Sequence, residues 1–77
     1  SDKESGMTQP PAYMVVSVSS AGTTCGTPCE TIGEALRAAR VCRAAIAATA
    51  CAGIVTILDR SSVIAGWYRL HNAWRRV

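Results

Sequence analysis

The side chains best suited to covalent or metal chemistry in this 77-residue chain are Cys25, Cys29, Cys42 and Cys51. A structural zinc ion takes four ligands, with sulfur about 2.3 Å from the metal, usually from two closely spaced pairs. Cys25 and Cys29 have C-x₃-C spacing, but Cys42 and Cys51 stand nine residues apart. On one continuous helix, nine residues place them on opposite sides and roughly 13 Å apart along the axis. That excludes a shared ion. It also excludes a disulfide between them, whose Cα atoms must lie within about 7 Å. Cys42 and Cys51 therefore read as small apolar thiols of the core, and no metal or cofactor is expected.

Cys25-Gly26-Thr27-Pro28-Cys29 precedes a helix start, where the macrodipole lowers a thiol pKa. In order and location this stretch resembles the Cys-Gly-Pro-Cys active site of thioredoxin-like proteins, over five residues only. The resemblance implies a redox pair at Cys25 and Cys29. Two departures stand against it: one extra residue separates the thiols, and the chain is too short for the whole thioredoxin fold.

Gly22 to Thr27 could offer backbone N–H groups to an anion at the helix start, although without the Gly-Lys-Ser/Thr ending of a nucleotide-binding loop. A turn of small residues explains it equally well. His71 is the one histidine; as a base for a cysteine nucleophile it would need to fold back onto Cys25 or Cys29, and it reads instead as a solvated turn residue. Glu30 and Glu34 sit where acids stabilise a helix start. The chain is read as non-enzymatic.

The charge is less evenly placed. Residues 60–77 hold Arg60, Arg69, Arg75 and Arg76 with no acid, whereas Arg37, Arg40 and Arg43 balance Glu30, Glu34 and Asp59 in residues 7–59. Trp67, Tyr68 and Trp74 share the basic segment. Strand alternation sets Trp67 and Arg69 on one face, Tyr68 and Leu70 on the other. Trp67, Arg69, Trp74, Arg75 and Arg76 thus form a candidate interaction face. Trp, Tyr and Arg are the usual anchors of protein interfaces, and arginine with aromatic residues also suits single-stranded nucleic acid.

These residues need elements to hold them. Residues 1–6 read as an expression scar before Met7, residues 7–12 as a flexible arm, and residues 13–77 as one domain. Tyr13 to Ser19 is rich in β-branched residues and predicts a strand; Ser20 to Pro28 has loop composition. Two overlapping capping signals, Thr27 to Glu30 and Thr31 to Glu34, open a helix. Its apolar stripe is mostly alanine: Ile32, Ala35, Ala39, Ile46 and Ala50, edged by Leu36 and Cys42. Gly53 is the expected C-cap. Ile54 to Leu58 is an apolar run, as in a central strand covered on part of both faces. Turns at Asp59 to Ser62 and at His71-Asn72 then frame strands at Val63 to Leu70 and Ala73 to Val77.

The fold expected is α+β: β-α-β-β, or β-α-β-β-β, with one Ala-rich helix on one face of a three- or four-stranded mixed sheet. If its first two strands are adjacent and parallel, the helix joins them by a right-handed crossover. One helix covers one face, so the other must be polar or meet a partner. A chain of this length buries only about 60% of its unfolded surface, which excludes separate cofactor and substrate domains and makes a homodimer attractive. The 15 uncharged residues from Ala44 to Leu58 fall short of the ~20 that span a membrane, and a cytoplasmic protein with reduced thiols is expected. Function follows in three readings. The first is a protein-interaction module, homodimeric or with another protein; the alternatives are nucleic-acid binding at the C-terminal strands and thiol redox activity at Cys25/Cys29.

Overall fold

A computed structural model describes residues 11–77. The expected scar at 1–6 and residues 7–10 of the expected arm lie outside the described residues. One helix packs on a five-stranded sheet whose neighbouring strands are all antiparallel, in the order β2-β1-β3-β4-β5. The elements are β1 (Tyr13–Ser19), β2 (Thr24–Cys29), α1 (Ile32–Ala48), β3 (Gly53–Asp59), β4 (Ser62–Leu70) and β5 (Ala73–Arg76).

The α+β class and the Ala-lined helix are as expected, but the sheet differs in two ways. Thr24–Cys29, expected to be loop, is a strand, and β1 and β3 are antiparallel neighbours rather than parallel ones. The two differences have one cause. After β1 the chain turns at Gly22, whose φ is +90°, and returns as β2 before entering the helix. That added reversal flips the direction in which the helix delivers β3. As the outer strand, β2 tolerates Pro28, which lacks a ladder donor and pairs with Met14.

The helix uses the second capping signal. Thr31 Oγ1 accepts from the Glu34 backbone N–H at 3.1 Å, and Glu34 Oε1 accepts from the Glu30 N–H at 2.9 Å. At the other end the cap is not Gly53. Ala50 N–H donates to the Ala47 carbonyl and Cys51 N–H to that of Ile46, a Schellman arrangement with Ala50 in the left-handed region at φ 57°. Cys51 accordingly lies past the helix end. Gly53 serves a different purpose: a Cβ there would meet Ile46 side-chain carbons at 2.9 Å and the Val18 carbonyl oxygen at 3.0 Å. Its bareness lets Ile46 reach the sheet.

Ala35 and Ala39 are fully buried against Val15, Val55 and Ile57, with Cys29 and Ile46 completing the core. Alanine at the contact allows a close approach of helix to sheet but contributes little area per residue. Ile32, expected on the buried stripe, is 42% exposed. The helix packs on β1, β3 and β2, so β4 and β5 extend beyond it as a two-strand shelf. His71 and Asn72, both at positive φ, close the β4–β5 hairpin in the two-residue turn expected of them.

Candidate functional site

Cys25 and Cys29 lie four positions apart on one extended strand, about 13 Å at the usual rise and well beyond disulfide reach. Side-chain alternation puts both on the helix side of the sheet, yet they do not converge. Cys25 is exposed and Cys29 buried. Burial pushes the Cys29 thiol pKa up, with further contributions from Glu34 and Cys42, opposite to the lowering that a reactive thiolate needs. Its Sγ donates to the Thr27 carbonyl at 3.7 Å. The helix start is equally occupied, because the Glu34 and Glu30 amides are bound within the chain. His71 stands on the β4–β5 turn, toward the edge opposite β2. The outer strands β2 and β5 are four spacings apart, about 19 Å, which keeps His71 from either cysteine of β2. Among the described residues no three His, Cys, Asp or Glu side chains form a group able to hold a metal.

The C-terminal residues divide between the two faces of the sheet. Trp67 and Arg69 share a face, and register places Arg76 opposite Trp67 and Trp74 opposite Arg69. All four point to the helix side, on the shelf that α1 leaves open. Arg43 reaches across from the helix, its guanidinium carbon 4.4 Å from the Trp67 ring centroid; Arg76 lies 5.2 Å from the same centroid. Arg69 is fixed by Nη1 donating to the Cys51 carbonyl at 2.8 Å and Nη2 to Asn72 Oδ1 at 3.4 Å. Arg75 is set apart from this group, opposite Tyr68 on the other face. Sequence reasoning missed Arg43, because the meeting of helix and β4 depends on where the helix crosses the sheet.

The face away from the helix has no cover among the described residues. Alternation assembles on it Met14, Val16 and Val18 from β1, Ile54, Thr56 and Leu58 from β3, and Tyr68 and Leu70 from β4. Val18 is 45% exposed, Ile54 49% and Leu70 49%. Thr56, at the centre, donates its hydroxyl to the Val16 carbonyl at 3.5 Å, so the central polar side chain is satisfied within the sheet. Val18, Ile54, Tyr68 and Leu70 border a shallow apolar depression of about 410 Å³. The alternation within Ile54-Val55-Thr56-Ile57-Leu58 already carried this signal: both of its faces are apolar, and one helix covers one.

Among the described residues no helix is long and apolar enough to cross a membrane. Neither known families, nor curated proteins, nor solved structures give a match to the chain.

Proposed function

We propose that the chain is a non-enzymatic interaction module that pairs with a second copy of itself through the bare sheet face. The observation that carries this reading is the row Val18, Ile54 and Leu70, each close to half exposed on a face with no charged residue at its centre. Five strands about 4.8 Å apart and some six residues long give a face of roughly 24 by 20 Å. Two such faces bury about 1,000 Å², the lower bound for a specific interface. Apolar patches of several hundred Å² commonly mark interaction sites.

A second copy fits this face better than an unlike partner of charged character, because the face offers apolar surface and shape alone. Among the described residues, alternation places one charge on it, Arg75 near the β5 edge. A twofold axis along the central strand β3 lays β5 over the partner's β2, so the two Arg75 side chains stand at opposite edges and do not repel. Such an isologous pairing closes on itself, stacking two sheets about 10 Å apart with a helix outside each. The anchors expected from sequence, Trp67, Arg69, Trp74 and Arg76, lie on the other side and take no part.

Sedimentation equilibrium tests the pairing. The expected result is a dimer for the unaltered chain and a folded monomer for Ile54→Glu, with Val41→Glu on the outer helix surface remaining dimeric. A chain that stays monomeric at millimolar concentration, or an Ile54→Glu variant that still dimerises, overturns it.

A further inference from the structure

We infer that the shelf formed by β4 and β5 beside the helix is a binding site for single-stranded nucleic acid. This does not rest on the self-pairing above, which uses the opposite face of the sheet.

Among the described residues the shelf gathers cations without acids. Arg43 and Arg76 flank one indole, Arg69 stands beside them, and Arg40 projects exposed from the helix one turn earlier. Each acid among the described residues is remote, Glu30 lying beyond Glu34 ahead of the helix start. Glu34 precedes Arg43 by nine residues, about 13 Å along the helix. Asp59 is four residues along β3 from Val55, the register partner of Trp67, again about 13 Å. Both separations exceed the Debye length of about 8 Å at physiological salt, so the acids do little to neutralise the cluster. The hydrogen bonds of Arg43 and Arg69 go to uncharged acceptors, the Ala39 and Cys51 carbonyls and the Asn72 amide. Two guanidinium groups drawn to one indole repel each other, and a phosphate group relieves that repulsion.

Shape selects the strand number. The shelf is two strands wide, roughly 10 Å, and the helix forms a wall along one side. One polynucleotide strand fits along it, whereas a duplex spans more than this width. Arg43 covers Trp67, and Trp74, though packed in part against the core, keeps some of its indole exposed; that exposed part is the stacking surface for a base, the arrangement of cationic groove and aromatic platform that suits single strands. The contrast with the bare face is chemical: that face is apolar and without charge at its centre, so it offers a phosphate nothing.

The test is fluorescence anisotropy with a labelled 20-nucleotide oligo-dT, beginning at 50 mM salt, with tryptophan emission recorded in parallel. Binding should change the tryptophan emission. It should weaken with salt at a log–log slope of about −2, since each of three phosphates contributes about −0.7 for single strands. Arg43→Gln and Arg76→Gln should each lower affinity and make the slope shallower by about 0.7. Arg60→Gln, in the β3–β4 turn, should leave both unchanged. Binding retained by Ile54→Glu supports a site independent of self-pairing. Absence of binding at 50 mM salt, equal loss in Arg60→Gln, tighter binding of a duplex of the same length, or equal binding of poly-glutamate each overturns the inference.

Discussion

The guanidinium carbon of Arg43 lies 4.4 Å from the centroid of the Trp67 indole, which joins the helix to a strand that its alanine stripe does not reach. Cation–π pairs at partly exposed sites contribute about 0.5–1 kcal/mol. A double-mutant cycle of Arg43→Gln and Trp67→Leu, followed by urea denaturation, should return a coupling of that size. Arg43→Lys should keep part of it, since an ammonium retains the charge and loses the flat stacking contact. Coupling within error of zero counts against the pair as a tie.

Ala50 caps the helix in a left-handed conformation that costs a residue with a Cβ roughly 1–2 kcal/mol and glycine almost nothing. Ala50→Gly should therefore raise stability by about 1 kcal/mol despite removing a side chain, because glycine's greater freedom in the unfolded state offsets part of the relief. Thermal unfolding of the two proteins decides it. A lower melting temperature for the glycine variant would show that the left-handed cap is not strained.

The raised thiol pKa of Cys29, caused first by burial and then by Glu34 and Cys42, sets a pH dependence. In the unfolded chain the thiol ionises around its ordinary 9.0, while in the folded chain it holds its proton to higher pH. The unfolded state thus loses its proton first, and stability falls as pH rises from about the ordinary value through the folded one. Urea midpoints measured from pH 7 to 10.5 should decline at the alkaline end, and Cys29→Ala should flatten part of that decline. Iodoacetamide at neutral pH should label the exposed Cys25 well before the buried Cys29; the reverse order would contradict the assigned burial.

Much of this architecture was legible because its signals are local. The alanine stripe and the Thr31 and Glu34 cap announced the helix, β-branched residues marked β1 and β3, and His71-Asn72 marked its hairpin. β2 was not legible. Thr24-Cys25-Gly26-Thr27-Pro28-Cys29 has a glycine and a proline and little strand propensity of its own, and it is extended because β1 presents it with a free edge. Missing that one strand carried a second error with it, the parallel pairing of β1 with β3. The functional surfaces divide in the same way. Alternation alone put Trp67 with Arg69 and left Tyr68 and Leu70 behind the sheet, but Arg43 enters the cluster only through tertiary geometry. The bare face was foreseen as a need for a polar surface or a partner, and the side chains on it are apolar.

Pro28 on the β2 edge and the four-residue β5 at the other, bearing Arg75 and Arg76, bear on how copies of this chain can assemble. An open strand edge recruits further strands and seeds fibrils unless it is short, charged or interrupted by proline. Both lateral edges carry such protection, so growth of the sheet from copy to copy is discouraged in each direction. Under the proposed pairing, apolar association of the bare faces occurs broadside, and two copies joined that way cover each other's bare face. A pairing of that kind is adhesive and yet finite, whereas an unguarded sheet edge would continue into a filament.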